Sequence, residues 1–458
     1  MQELTHHTAT ELAHLIRSKK ASPVEIAEAH LDRIQKLNPK LNAVVTLAPD
    51  VLEQARHAEQ SVIKNAEVGL LHGVPITVKD TIETAGILST SGSPARAQFI
   101  PEHDAPSVLR LKAAGAIILG KTNMAEMAMD YTSENPLFPS ANNPYDPTCT
   151  PGGSSGGEAA AIASCMSPAG LGSDLAGSVR IPAHFCGIAG LKPTTRRVPG
   201  EGQFPPASGP YSLGAVIGPM ARSVSDLRVM FRVLTGSVST TVAVKGCRVA
   251  WYTDDGVTPV TEETRKAVER AAQALKDAGL ITEQIRPPAV ERGHELWLKL
   301  FSRASVVQLR DVYNGFENQA GAFVRWRLAT ADDSPVPGLD EYIRTWIERD
   351  RLRVALTNWM DNVPLVLAPV GAVPAMKHGE HKVTVGDRTM GAFRAFSYSQ
   401  TFNTFDLPSI CLPAGVSSEG LPIGVQLAGR PNDEESVLTA AAIIEEALGG
   451  WRPPMQTV

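Results

Sequence analysis

Hydrophobic and polar residues follow two different periods along this chain. In segments such as 9–18 and 262–278, apolar residues recur every three or four positions, which predicts amphipathic helices. Short apolar runs at 73–80, 116–119 and 247–251 are nearly continuous instead, which is typical of buried strands. Helical segments alternate with these runs through most of the sequence. The pattern therefore predicts an α/β fold, in which one mixed, mostly parallel sheet is covered by helices on both faces.

Capping residues mark the start of two predicted helices. Thr8 with Glu11, and Ser22 with Glu25, have the spacing of a capping box, in which side chains satisfy free backbone amides at the helix start. Pro23, at the first helical position, strengthens the second signal. The pattern also predicts a helix at 23–37, a strand at 43–47, helices at 49–65, 105–114, 123–129, 295–312, 339–359 and 434–447, and loops at 332–338 and 377–388.

Composition narrows the class of protein. Of 458 residues, 43% are hydrophobic and 20% are charged, as expected of a soluble globular chain with a large core. A net charge of −5 argues against a nucleic-acid partner, and no apolar segment is long enough to span a membrane. The five cysteines form no disulfide or metal-binding pattern, so we expect a reducing, cytoplasmic location.

We expect a single domain over residues 1–458. Its core lies at about 70–240, and helices and loops at about 290–390 form an insertion that shapes the substrate pocket. Neither an internal repeat nor a linker is visible between the two regions of sequence.

A stretch rich in glycine and serine at 149–195 dominates the middle of the chain. Its clusters at 152–157 and 172–178 contain glycines, which allow positive φ and let a ligand approach bare backbone amides. The run between them, at 159–165, is small, apolar and compatible with a helix, so it can hold both clusters on one rigid support. A flexible linker would lack that apolar helix, so this stretch is the first candidate for a functional site.

A lysine is a better candidate for a general base than any histidine. His103 and His184 are isolated, and His378 and His381 lie in a polar segment without a third ligand, which argues against a metal site. Lys79 instead ends an apolar strand. Such a lysine usually reaches water, but one buried beside polar groups can be neutral near pH 7 and accept a proton.

Several long motifs, in the same order along the chain, resemble the amidase signature family. The main ones are GVPITVKD at 73–80, PGGSSGGE at 151–158 and GSDLAGSVRIPA at 172–183. Supporting matches are GKTNMAE at 120–126, CGIAGLKPT at 186–194, GPMARSVSDL at 218–227 and LPIGVQLAG at 421–429. The resemblance covers about residues 22–236 and 400–445. It implies the large α/β fold of that family.

The resemblance also implies a catalytic triad. By motif position, its members are Lys79, Ser154 in a cis peptide bond, and the nucleophile Ser178. A serine hydroxyl is a poor nucleophile until a base removes its proton, and Ser154 can relay that proton to a neutral lysine. The oxyanion hole implied by the family consists of the backbone amides of Leu175, Ala176, Gly177 and Ser178.

Other matched positions surround this triad. Ser155, Asp174 and Arg180 match residues that orient the glycine-rich loop. The candidate substrate contacts are Met129, Tyr131 and Gly153, of which the first two match pocket positions of fatty-acid amide hydrolases. The family usually has glycine at position 176, and alanine there would be strained by about 1 kcal/mol if the backbone needs positive φ.

We therefore expect a serine amidohydrolase that uses neither a metal nor an organic cofactor. Expected substrates are small linear amides, above all anilides and aryl amides, with esters and carbamates (urethanes) as further ones. The small-molecule substrate is the expected partner, and the chain is expected to be a monomer or homodimer. One alternative stays open: the glutamine-hydrolysing A subunit of the tRNA-dependent amidotransferase, which shares the whole signature. An interaction module that kept only the fold is disfavoured, because all three triad residues are present.

Overall fold

A long mixed sheet forms the frame of the protein, and helices pack against it. The computed structural model describes residues 3–237, 242–331, 333 and 337–454. In these ranges the strands are β1 (Val44–Leu47), β2 (Pro75–Lys79), β3 (Ile117–Thr122), β4 (Ala169–Asp174), β5 (Ala189–Lys192), β6 (Val216–Ala221), β7 (Arg248–Trp251), β8 (Ile281–Gln284), β9 (Leu365–Pro369), β10 (Lys382–Val385), β11 (Arg388–Gly391), β12 (Ser409–Val416) and β13 (Pro422–Gly429). The order across the sheet is β1-β3-β2-β4-β6-β5-β12-β13-β9-β7-β8, and β10 and β11 form a separate hairpin.

Parallel pairing is concentrated in two groups of strands. β3, β2 and β4 are parallel neighbours, and so are β9, β7 and β8. The other six pairs that the described residues form in this sheet are antiparallel. The predicted α/β class and the mixed sheet are confirmed. The parallel pairing that the sequence predicts is found in those two groups of strands. One antiparallel pair, β12 with β13, is joined by the short turn at 417–421, which forces the two strands to run in opposite directions.

Helices alternate with the strands for most of the chain, as the hydrophobic period predicts. They are α1 (Ala9–Arg17), α2 (Pro23–Leu41), α3 (Val51–Ile63), α4 (Pro106–Ala113), α5 (Gly156–Ala163), α6 (Arg180–Phe185), α7 (Val224–Thr235), α8 (Glu262–Asp277), α9 (Gly293–Trp297), α10 (Arg303–Tyr313), α11 (Ala322–Ala329), α12 (Leu339–Met360), α13 (Ala392–Ala395), α14 (Ser397–Thr404) and α15 (Glu434–Leu448). Both predicted capping boxes are present, at Thr8 and Ser22. In the described ranges, no helix has both the length and the apolar character needed to cross a lipid bilayer.

The helix predicted at 123–129 is wrong. Only one 3-10 turn, Glu126–Ala128, forms there. Met127 and Ala128 have φ values of 55° and 59°, in the left-handed region, which an α-helix of L-residues does not tolerate. The segment therefore turns instead of continuing as a helix.

Two predictions in the segment at 290–390 also need correction. The helix expected at 295–312 is interrupted by a π-helical turn, Leu298–Ser302, between α9 and α10. The loop expected at 377–388 contains β10 and the turn into β11, which Gly386 permits with a φ of 60°. Most of the loop expected at 332–338 lies outside the described residues.

The parallel group β3-β2-β4 positions the candidate site. β2 ends at Lys79 and β4 ends at Asp174. Because the two strands are parallel neighbours, their carboxyl ends meet at the same edge of the sheet. The fully buried α5 begins directly after Ser154 and Ser155 and carries the first glycine-rich cluster to this edge.

Candidate active site

Lys79 is a fully buried lysine between two serine hydroxyls. Its Nζ donates to Oγ of Ser154 at 2.6 Å and to Oγ of Ser173 at 2.9 Å. Burial lowers the pKa of Lys79 to about 7, although the negative charges of Asp174 and Glu158 oppose this effect. Near neutral pH, a large share of molecules therefore carries a neutral amine here, which is the form that can accept a proton.

Ser154 follows a cis peptide bond, as the resemblance implies. The bond joins Gly153 to Ser154, whose side chain lies between Lys79 and a cavity. Ser154 lines this cavity, whereas Gly153 does not. A Cβ at position 153 would lie 1.9 Å from the carbonyl oxygen of Thr132, so close packing requires the glycine there.

A buried ion pair holds the second glycine-rich cluster. Nε and Nη2 of Arg180 donate to the two carboxylate oxygens of Asp174 at 3.1 and 3.0 Å, and neither side chain is exposed. Arg180 also donates to Gln426 at 2.7 Å and to Asn403 at 2.6 Å. Burial works against ionisation of Asp174. The charge and hydrogen bonds of Arg180, together with the charge of Lys192 and the hydrogen bond from Asn403, outweigh burial and hold the pKa of this carboxyl below its ordinary value.

The four amides expected to form an oxyanion hole are not equivalent. The amide of Gly177 donates to Oδ1 of Asp174 at 2.9 Å and is therefore occupied. Those of Leu175, Ala176 and Ser178 have no hydrogen-bond partner in the part of the chain that the structure describes. The same three residues line the cavity, and Gly177 does not. Three of the four amides are thus free, and they belong to residues that line the cavity.

Alanine at position 176 fits without backbone strain. Gly177 has a φ of 109°, in the region that favours glycine, but Ala176 is not among the residues with positive φ. The left-handed conformation that would penalise an alanine is therefore confined to Gly177.

Ser178 borders the same cavity as Ser154 and is 6% exposed. Its carbonyl accepts from the amide of Ser155 at 3.3 Å, and Oγ of Ser155 donates to the carbonyl of Ser173. Ser155 therefore ties the two glycine-rich clusters together. Among the described residues no hydrogen bond joins Ser154 Oγ to Ser178 Oγ.

The cavity beside Ser178 has a volume of about 280 Å³ and mainly apolar walls. Its aromatic and methionine residues are Met127, Met129, Tyr131, Tyr211, Trp297, Phe301, Phe323, Trp326 and Phe393. Several of them come from the segment at 290–390. Both Met129 and Tyr131 line the cavity, but the hydroxyl of Tyr131 donates to the carbonyl of Ala176 at 2.8 Å. Within the described ranges, no three His, Cys, Asp or Glu side chains are grouped to hold a metal ion.

Comparison with known proteins identifies the family. A family model described as Amidase matches residues 25–438. The chain belongs to the amidase signature family. The family indicated by the sequence motifs is thereby confirmed, and the protein is an amidase, a hydrolase that acts on C–N bonds.

Similar amidases differ in what they act on. A glutamyl-tRNA(Gln) amidotransferase A subunit from Clostridium acetobutylicum is 32% identical over 97% of this chain and 99% of that protein. Fatty-acid amide hydrolase 2-A of Danio rerio is 33% identical over 98% of this chain and 90% of that protein. The crystal structure of a bacterial aryl acylamidase superposes with a TM-score of 0.85, at 25% identity and 96% coverage of both chains.

Sequence reasoning missed several polar residues of this amidase site. They are Glu158, Trp297, Gln400, Asn403 and Gln426. Two of them had a usable signal, because Glu158 and Gln426 are lone polar residues inside apolar stretches of matched motifs. Tertiary packing alone brings Trp297 and Asn403 to the glycine-rich loop, and it brings Gln400 to the hydroxyl of Tyr131.

Proposed function

We propose that this amidase hydrolyses linear amides with an apolar acyl or aryl group through an acyl-enzyme on Ser178. Ser178 attacks the carbonyl carbon while its proton passes to Ser154, and the proton of Ser154 passes to neutral Lys79. The free amides of the loop stabilise the oxyanion. The C–N bond then breaks, the amine leaves with a proton returned through the relay, and water hydrolyses the ester on Ser178 by the same route.

One observation carries this proposal. A fully buried lysine lies 2.6 Å from a serine that shares a cavity with Ser178, and that cavity has aromatic and methionine walls. Burial of apolar groups against such walls favours aryl and acyl substituents over fully polar ones. The similarity to a bacterial aryl acylamidase supports the same substrate class.

The proposal extends to further substrates, to the cofactor, and to the location and oligomeric state of the chain. An acyl-enzyme can form from an ester or a carbamate as well as from an amide, so we include both among the proposed substrates. The relay supplies both nucleophile and base, and the proposed reaction therefore uses no cofactor. We also propose that the chain acts in the cytoplasm as a monomer or homodimer.

Glutamine hydrolysis for a tRNA-dependent amidotransferase is a second candidate. The Clostridium relative is named as part of such an enzyme, and it is similar over nearly its whole length. This similarity supports the second candidate more directly than any named relative supports anilide or carbamate cleavage. The cavity also has Asp130 and Arg327 on its wall, which have the charges needed to bind the ammonium and carboxylate groups of an amino acid.

Turnover by the isolated chain separates the two candidates. The purified protein should release an arylamine from an anilide and from a matched aryl carbamate, and Ser178→Ala should release none. The second candidate predicts no arylamine, and ammonia release from glutamine only after the other components of an amidotransferase are added. A chain that turned over neither substrate under either condition would contradict both.

A further inference from the structure

We propose that Tyr131 is a positioning residue of the oxyanion hole. Its hydroxyl fixes the peptide group between Ala176 and Gly177, and this group in turn orients the two flanking peptide groups, whose amides are free. The inference rests on the proposed acyl transfer at Ser178. It gives Tyr131 a task beyond the substrate contact expected from its motif position.

The peptide group between Ala176 and Gly177 is held at both ends. Its carbonyl accepts from the hydroxyl of Tyr131 at 2.8 Å, and its amide donates to Oδ1 of Asp174 at 2.9 Å. A trans peptide group is planar, and its C=O and N–H bonds point in opposite directions. The two hydrogen bonds therefore fix the rotation of this group about the chain.

The peptide groups on either side are each held by the carbonyl alone. The carbonyl of Leu175 accepts from Nε1 of Trp297 at 2.9 Å, and that of Gly177 accepts from a backbone amide of α6 at 2.6 Å. Each bond leaves the N–H of the same peptide group pointing the other way. Those are the amides of Ala176 and Ser178, two of the cavity-lining residues whose amides are free among the described residues. The geometry makes them the principal oxyanion donors.

Gln400 determines which way the hydroxyl of Tyr131 points. Its Nε2 donates to the oxygen of Tyr131 at 2.7 Å and to the carbonyl of Phe393 at 2.9 Å. Since a carbonyl can only accept, the amide must present its NH₂ end here. Its Oε1 meets Nδ1 of His294 at 2.5 Å, which places a hydrogen on that nitrogen. The hydroxyl hydrogen of Tyr131 is then free to point at the carbonyl of Ala176.

Burial keeps this arrangement intact over the working pH range. Tyr131 is 1% exposed, and burial raises the pKa of its hydroxyl well above the ordinary value, so the group remains a donor. Its ring stacks on Phe393 with centroids 4.6 Å apart. That packing does not involve the hydroxyl, so the hydroxyl can be removed while the ring stays in place.

The decisive variant is Tyr131→Phe, assayed on a neutral anilide. We expect kcat to fall roughly 10- to 100-fold with KM changed less than about twofold, because a misaligned donor weakens transition-state binding and not ground-state binding. Gln400→Leu should lower kcat less, since it only frees the hydroxyl to rotate. The matched control is Tyr342→Phe, which removes a half-buried hydroxyl bonded to the carbonyl of Leu300, away from the loop, and should change neither constant.

A second readout does not depend on the amide substrate. The rate at which a fluorophosphonate labels Ser178, followed by intact mass spectrometry, should fall by a similar factor in Tyr131→Phe, because phosphonylation also places negative charge in the hole. An unchanged kcat and labelling rate would overturn the inference, as would a loss that appears only in KM. If Tyr131→Phe does not fold, Gln400→Leu carries the test. If the wild-type chain cleaves no anilide, the proposed function fails, and the labelling rates still decide the role of Tyr131.

Discussion

Nζ of Lys79 lies 2.6 Å from Oγ of Ser154, and both side chains are fully buried. A lysine in this place can accept a proton only in its neutral form. Because burial lowers the pKa of Lys79 to about 7, kcat/KM should rise with pH through about 7 and then level off. A pH–rate profile for anilide hydrolysis measures this directly. A profile that falls over the same range would mean that charged Lys79 is the active form.

The same burial should make Lys79 unfavourable for stability. Its pKa is about 7 in the folded protein and 10.5 in its ordinary state, so the unfolded chain binds more protons between these values. The free energy of unfolding therefore rises with pH through that interval. The destabilisation by Lys79 is greatest below about pH 7. Lys79→Met should be inactive and more stable than wild type near pH 6, by a margin that shrinks toward about pH 9. Urea unfolding at both pH values tests this, and a margin independent of pH would contradict it.

Removing one partner of the Asp174–Arg180 pair should destabilise the fold strongly. Arg180→Met leaves a buried carboxylate without its counter-charge, which typically costs roughly 3–5 kcal/mol. The control is Arg248→Met, which breaks a pair whose side chains are 43% and 36% exposed and should cost about 1 kcal/mol or less. Denaturant unfolding compares the two variants. Equal losses would show that the buried pair does not anchor the loop.

Ala176→Gly should lower the free energy of unfolding slightly, because there is no backbone strain for it to relieve. Ala176 does not have a positive φ, so glycine gains no conformational advantage and increases the freedom of the unfolded chain, at a cost of about 0.5–1 kcal/mol. Since Ala176 lines the cavity, loss of its methyl group should also favour bulkier acyl groups. Thermal unfolding and a series of anilides with branched acyl chains measure the two effects. No change in either would rule out a role for this methyl group.

Local signals explain how much of the fold could be predicted from sequence. The starts of α1 and α2 follow from capping boxes whose partners are three residues apart. Lys79 stands out because its strand is apolar up to that residue, and the motifs place Ser154 and Ser178 relative to it. By contrast, the turn at Met127 and Ala128 depends on left-handed backbone that nothing in their side chains demands.

The hydrogen bond by which Tyr131 holds the glycine-rich loop could not be predicted from local sequence signals. Its hydroxyl contacts Ala176, 45 residues further along the chain, and Gln400, 269 residues away. A tyrosine beside methionines in a motif has the same local pattern whether it contacts substrate or holds a peptide group. Only the packing of α14 against the glycine-rich loop distinguishes the two roles.

The most direct test of the central claim is to trap the acyl-enzyme. An activated aryl ester is mixed with the protein, the reaction is quenched in acid during turnover, and peptides are mapped by mass spectrometry. The acyl group should be attached to Ser178, and Lys79→Met should accumulate far less of it at neutral pH. Turnover with no acyl group on Ser178, or with the acyl group on another residue, would contradict the mechanism.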